Sequence, residues 1–98
     1  MLEKELERKF VEMVKAEGGL ALKFTSPNMA GVPDRIVLLP DGVFFFAELK
    51  RPGQKLRPLQ LKRKEQLEQL GFRVAVVDSV ESVARVRHTI RGGDAAYD

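Results

Sequence analysis

The sequence predicts an α/β fold of the α+β type, with one mixed sheet. Its elements follow the order α-β-β-β-α-β-α. Three observations predict it. A chain of 98 residues is long enough for one domain with a modest core, 44% of its residues are hydrophobic, and the apolar spacing switches between helix and strand periods. This hydrophobic content indicates a folded chain. The sequence contains no internal repeat and no linker between domains.

Glycine and proline mark the ends of the elements. Gly18-Gly19 predicts the end of the first helix, Pro40-Asp41-Gly42 a hairpin turn, and Pro52-Gly53 a break. Pro58 suits the first turn of a second helix, and Gly71 ends it. The predicted elements are a helix over residues 2–17, strands over 20–24, 35–39 and 43–49, a helix over 58–70, a strand over 72–77, and a final helix capped by Ser79 or Asp78.

Composition excludes several kinds of site. The chain has no cysteine, which excludes disulfides and thiolate metal sites, and His88 alone cannot build a histidine-rich zinc site. A bound metal would therefore have oxygen ligands, which favours Mg²⁺ or Mn²⁺. No apolar run is long enough to span a membrane, and the N-terminus is charged rather than signal-like. We expect a soluble, cytoplasmic protein without a membrane partner.

The positive charge is concentrated in one segment. Residues 50–64 contain seven Lys or Arg and no acidic residue. Removing these seven leaves 10 basic against 14 acidic residues, so the rest of the chain has a net charge of −4. Such a segment suits a polyanionic substrate such as nucleic acid, although a solvated helix face is the alternative explanation.

Two carboxylates and a lysine are the candidate site. Side chains alternate along a strand, so Glu48 and Lys50 lie on one face at the end of the third strand. The hairpin turn makes the preceding strand antiparallel, which brings Asp34 opposite the region of Glu48. Carboxylates that close repel each other unless a cation or proton lies between them. Alternatively, Asp34 is a turn residue after Pro33 and Glu48 pairs with Lys50 on the surface.

These residues carry a resemblance to a known family. Gly31-Val32-Pro33-Asp34, Glu48-Leu49-Lys50, Arg51-Pro52-Gly53 and Gln60, with a glutamate-bearing helix before them, resemble a stand-alone VRR-NUC domain. This is a branch of the PD-(D/E)xK nuclease superfamily, and the resemblance covers nearly the whole chain. It implies a restriction-endonuclease-like core over residues 1–91. Independently of the resemblance, Gly92-Gly93 predicts that residues 92–98 form a flexible tail.

The resemblance also implies an activity. Members of the family are metal-dependent phosphodiesterases, and stand-alone domains of this kind are typical of phages and prophages. Small members resemble archaeal-type Holliday junction resolvases and act as homodimers on branched DNA. We therefore expect a Mg²⁺-dependent (or Mn²⁺-dependent) DNA endonuclease that resolves four-way junctions in a bacterial or phage-infected cell. The alternatives are a general or nicking phage endonuclease and an inactive nucleic-acid-binding module.

The resemblance assigns roles to individual residues. Asp34 and Glu48 would be metal ligands, together with the backbone carbonyl of Leu49. Lys50 would contact the scissile phosphate or the attacking water, and Gln60 would lie near the active site. Glu7 is the expected first-helix metal ligand, with Glu3 one turn earlier as the alternative; either could also be an ordinary surface residue.

The remaining expectations concern contacts with DNA and with a partner subunit. Phe44, Phe45 and Phe46 are expected to pack in the core and in the dimer rather than to stack on bases. The residues expected to contact DNA are Lys23, Ser26, Arg51, Lys55, Arg57, Lys62 and Lys64.

Overall fold

The computed structural model describes residues 1–93, which contain three helices and four strands. The predicted fold class is confirmed. The elements are α1 (Glu3–Ala16), β1 (Leu20–Lys23), β2 (Arg35–Leu39), β3 (Val43–Leu49), α2 (Pro58–Gln69), β4 (Val74–Val77) and α3 (Val80–Ile90), with a short 3₁₀ turn at Pro40–Gly42. Of the predicted tail, residues 94–98 lie outside the described residues.

The four strands form one mixed sheet in the order β1-β2-β3-β4. β1, β2 and β3 are antiparallel neighbours, whereas β4 is parallel to β3 and is reached through α2. Arg35 pairs with Ala47 in the β2–β3 hairpin, so the next pair outward is Asp34 and Glu48. The tight turn is possible because Asp41 and Gly42 both have positive φ, at 66° and 73°.

Helices α1 and α3 cover one face of the sheet and form the core with it. Phe10 and Val14 of α1 are fully buried there, as are Val37 and Phe45 of the sheet. Two apolar residues at the starts of these helices are exposed: Leu2 by 67% and Val80 by 49%. Leu2 precedes the first turn of α1 and Val80 is the first residue of α3, so neither reaches the sheet.

The other face of the sheet is covered only in part. Gln60 is the one residue of α2 that is buried. A cluster of aromatic rings lies on this face, with centroid separations from 4.9 to 5.9 Å, and its members are Phe24, Phe44, Phe46 and Phe72. Phe72 itself is 44% exposed and precedes β4, whose first residue is Val74 rather than the predicted residue 72. Within residues 1–93, no helix is long and apolar enough to cross a membrane.

Candidate active site

The β2–β3 hairpin holds the two candidate carboxylates together. Asp34 lies just before β2, and its backbone carbonyl accepts a hydrogen bond from Phe24 N at 2.9 Å. Its side-chain Oδ1 accepts a second one from the backbone N–H of Leu49 at 3.2 Å. The carboxylate of Asp34 is therefore held against the end of β3, where Glu48 lies.

Glu48 and Lys50 occupy a buried position at the same strand end. Their exposed fractions are 6% and 7%, although both are charged residue types that are rarely buried. Lys50 Nζ lies 3.9 Å from Glu48 Oε2. The backbone N–H of Lys50 donates to Val77 O of β4 at 2.9 Å, which fixes the strand end from which both side chains project.

Gln60 connects α2 to this pair. Its Oε1 accepts a hydrogen bond from the backbone N–H of Arg57 at 2.9 Å, which satisfies one free donor at the start of the helix. Its Nε2 then donates to Glu48 Oε2 at 3.2 Å. Both ends of the amide are used, so the start of the helix and the carboxylate have a fixed relative position.

The loop before Asp34 packs against the same helix end. Gly31 has a φ of +84°, and a Cβ at this position would lie 2.8 Å from Leu59 Cγ and 3.0 Å from Leu59 O. Only glycine permits this approach and this backbone conformation without strain. Arg63 Nε adds a hydrogen bond to Ala30 O at 2.8 Å. The chain entering Asp34 is thus fixed to the helix that carries Gln60.

Burial and mutual repulsion disfavour the ionised forms of the two carboxyls. Burial and the negative charge of Asp34 raise the pKa of Glu48 to about 7, and nearby Lys50 opposes this rise. Partial removal from water also raises the pKa of Asp34, although the residue as a whole is exposed, and the Leu49 N–H opposes this rise. The arrangement favours a proton or a cation between the two groups.

Glu7 lies beside the site and forms an ion pair with Arg35, a residue for which the sequence predicted no role. Arg35 Nη2 contacts Glu7 Oε1, and Arg35 Nη1 donates to Ala21 O at 3.1 Å. Arg35 is only 8% exposed. A sequence signal existed, since Arg35 at the start of β2 has the same strand parity as the apolar Val37, and a basic residue on a buried face requires an acidic partner.

Glu7 therefore lies at the edge of the site that contains Asp34 and Glu48. It lines a shallow pocket with Lys23, Phe24, Thr25, Asp34 and Arg35. Among residues 1–93, no three His, Cys, Asp or Glu side chains lie close enough together to hold one metal ion. The metal-binding role of Glu7 stays a prediction, as does that of the alternative, Glu3, which is exposed on the first turn of α1.

The structure separates the seven cations of residues 50–64 into two groups. Lys50 lies in the site, Lys64 pairs with Glu68 at 3.0 Å, and Arg63 bonds to the loop before Asp34. The other four are exposed and have no ion-pair partner in the part of the chain that the structure describes: Arg51, Lys55, Arg57 and Lys62. Of these, Arg57 lies near enough to Glu48 to lower its pKa slightly.

Two further residues predicted to contact DNA lie before the hairpin. Lys23 is exposed and lines the same pocket as Asp34. Ser26 is half-buried, and its hydroxyl donates to Asn28 Oδ1 at 3.2 Å. The position of Lys23 is compatible with a phosphate contact at the edge of the site, whereas Ser26 is engaged in a local turn.

Comparison with known proteins gives consistent matches. The profile of the VRR-NUC domain matches residues 2–81. The chain is 47% identical over 77 residues to a protein described as "Putative nuclease p44" from Acyrthosiphon pisum secondary endosymbiont phage 1, covering 79% of this chain and 83% of that protein. A solved structure described as a VRR_NUC domain superposes with a TM-score of 0.81 at 34% identity, covering 86% of this chain and 91% of that one. The chain belongs to the VRR-NUC family of nuclease domains.

Proposed function

We propose that this nuclease domain is a divalent-metal-dependent endonuclease that hydrolyses phosphodiester bonds in DNA. One observation carries the proposal: the β2–β3 hairpin brings Asp34, Glu48 and Lys50 together at one strand end. Two carboxylates with a fixed cation beside them suit a reaction in which negative charge develops on a phosphate. A domain that only bound nucleic acid would gain nothing from two carboxylates facing the phosphates.

The donor set fits a divalent cation of the Mg²⁺ or Mn²⁺ type. Asp34 and Glu48 supply carboxylate oxygens, and Leu49 lies between Glu48 and Lys50 with its backbone carbonyl as a further donor. Mg²⁺ is commonly held by one or two carboxylates and keeps several waters, so a third acidic side chain is not required. The raised pKa values of both carboxyls support the fit, because a cation would offset their repulsion. Such a cation supplies charge neutralisation and lowers the pKa of a bound water.

The protein's own side chains would position the DNA and the Glu48 carboxylate and polarise the phosphate. Lys50 is a buried cation, held by its backbone bond to β4, that would face the phosphate where charge develops. A preorganised group of this kind is often worth on the order of 3 kcal/mol in the transition state. Gln60 holds the Glu48 carboxylate through Oε2 and thereby fixes its orientation. Arg57 and Lys23 lie near the two carboxylates and would guide the DNA backbone to them.

The preferred substrate in this proposal is a four-way junction, cut by a homodimer. A domain of 98 residues has little surface with which to recognise a branch alone. Two copies related by a two-fold axis would present two equivalent sites and cut two strands symmetrically. The phage origin of the 47% identical relative is compatible with branched replication intermediates as substrates.

A panel of labelled substrates tests the proposal. The protein is incubated with Mg²⁺ and with four-way junction, linear duplex and flap DNA, and the products are mapped at nucleotide resolution. Paired symmetric cuts confined to the junction are expected. Comparable cutting of all three substrates would favour a general or nicking endonuclease. Binding to all three without Mg²⁺-dependent cleavage would contradict the enzymatic proposal and favour a binding module.

A further inference from the structure

Arg35 is a buried cation that points to the opposite face of the sheet from Glu48. It is the first residue of β2, is 8% exposed, and shares strand parity with the fully buried Val37. Its partner across the β2–β3 hairpin is Ala47, which also belongs to the core. Adjacent residues of a strand point to opposite faces, so Glu48 points away from the core that contains Ala47. The Arg35 side chain therefore lies on the side of the sheet that α1 covers.

The guanidinium of Arg35 is fixed by contacts with two other elements. Its Nη2 contacts Glu7 Oε1 of α1, and its Nη1 donates to the carbonyl oxygen of Ala21 in β1 at 3.1 Å. A planar guanidinium that is held by two partners at once has little freedom to move. Breaking its contact with Glu7 would leave a buried positive charge without a counter-charge, which is strongly unfavourable. Arg35 therefore holds the Glu7 carboxylate on the α1 side of the sheet.

Glu7 is nevertheless close to the carboxylate pair. Together with Asp34 and Arg35 it lines a pocket of about 190 Å³. The pKa of Asp34 is raised mainly by burial, and the negative charge of Glu7 contributes to this rise. A carboxylate in this position can either join the coordination of a cation or remain neutralised by its own partner. The buried contact with Arg35 favours the second arrangement.

We propose that Arg35 is a positioning residue that keeps Glu7 out of the coordination shell of the divalent cation. The cation would then take its carboxylate ligands from Asp34 and Glu48 alone, as Mg²⁺ sites with one or two carboxylates do. Glu7 and Arg35 together add no net charge, so the attraction for the cation is set by the pair on the other face. This inference rests on the proposed function, because it requires a cation at that pair.

Removing one charge of the ion pair, or both, should change the metal affinity in opposite or cancelling ways. Arg35→Gln removes the positive charge and frees Glu7, so it should tighten Mn²⁺ binding about five- to tenfold. Glu7→Gln leaves Arg35 without its counter-charge and should weaken binding by a similar factor. The double variant restores neutrality and should bind Mn²⁺ within about threefold of the wild type. Removing a residue with a merely structural role would not tighten metal binding.

Mn²⁺ binding to the full chain without DNA is measured from the electron paramagnetic resonance signal of free Mn²⁺, so that no cleavage is required. Arg8→Gln is the matched control, because Arg8 pairs with Glu12 on the same helix but both side chains are 64% exposed. It should change the affinity little, since exposed charges are screened. Asp34→Asn shows the loss that follows removal of a ligand. Circular dichroism verifies folding, and if Arg35→Gln alone does not fold, the double variant decides, because it leaves no buried charge without a partner.

Two results would overturn the inference. One is weaker or unchanged Mn²⁺ binding by a folded Arg35→Gln variant. The other is a double variant that loses Mn²⁺ as Asp34→Asn does, since Glu7 would then be a ligand. If either result appears while the wild type binds Mn²⁺ and Asp34→Asn does not, the proposed function stands without the positioning role of Arg35. A wild type that binds no Mn²⁺ and cuts no DNA would instead remove the metal site itself, and this inference with it.

Discussion

Glu48→Gln is expected to stabilise the metal-free protein at alkaline pH. The pKa of Glu48 is about 7 in the folded chain against an ordinary value of 4.5, because the carboxyl is buried and lies beside Asp34. Between these two pH values the folded state holds a proton that the unfolded state has lost. Folding stability therefore falls as pH rises from about 4.5 to about 7, and the ionised carboxylate carries its full cost above that.

The size of the effect follows from the two pKa values. A difference of 2.5 pH units between 4.5 and 7 corresponds to about 3 kcal/mol at most. Glutamine keeps the shape of the side chain and an oxygen that can accept the hydrogen bond from Gln60, but it carries no charge. The variant should therefore be more stable than the wild type by up to about 3 kcal/mol at pH 8, and equally stable at pH 4.

Urea unfolding in EDTA at pH 4, 6 and 8 measures this difference. The gap between Glu48→Gln and wild type should open between pH 4.5 and 7 and stay constant above. Glu65→Gln, at an exposed position on α2, is the control and should show no such gap. Mg²⁺ should then stabilise the wild type at pH 8 and leave Glu48→Gln unchanged. A Glu48→Gln variant that is less stable than wild type at pH 8, or a gap that does not change with pH, would refute this reasoning.

Two further predictions concern the loop before the site and the surface cations. Gly31→Ala should destabilise the fold, measured by urea unfolding, by about 1 to 3 kcal/mol more than Gly53→Ala. Both glycines have positive φ, but only Gly31 lies against Leu59. Equal destabilisation by the two substitutions would contradict the close approach of Gly31 to Leu59. Replacing Arg57 and Lys62 by Gln should lower the salt slope of DNA binding by about 0.9 for each phosphate that is no longer neutralised, whereas ion-paired Lys64→Gln should change it less. Indistinguishable slopes would count against a DNA-facing role.

The hairpin that carries the candidate site was largely predictable because its geometry is local. A turn sequence at residues 40–42 and strand alternation were enough to place Glu48 and Lys50 on one face and Asp34 opposite Glu48. Their burial was not predictable, since it depends on how α2 and its Gln60 pack over the strand end. Burial in turn causes the raised pKa of Glu48, so this property needed the three-dimensional structure.

The features that were missed depend on contacts between distant segments. The ion pair between Glu7 and Arg35 joins α1 to β2, and strand alternation alone does not say which helix lies over Arg35. The pairing of Lys64 with Glu68 has the i, i+4 spacing of a helix and was readable from sequence, although Glu68 lies outside the basic segment of residues 50–64. The exposure of Leu20 and Leu22 was not predictable for a third reason: the sequence marks β1 as an apolar strand, but what covers its two faces is a tertiary property.

Cleavage of DNA by the wild type and by Asp34→Asn, each with Mg²⁺ and with EDTA, tests the central claim most directly. Asparagine keeps the size of Asp34 and removes one of the two charges that would hold the cation. The wild type should cut in Mg²⁺ and not in EDTA, and Asp34→Asn and Lys50→Ala should each reduce the rate by at least about 100-fold. Both variants should bind DNA with an affinity like that of the wild type. Cleavage by the wild type in EDTA, or near-normal cleavage by both variants, would contradict a metal-dependent site built from Asp34, Glu48 and Lys50.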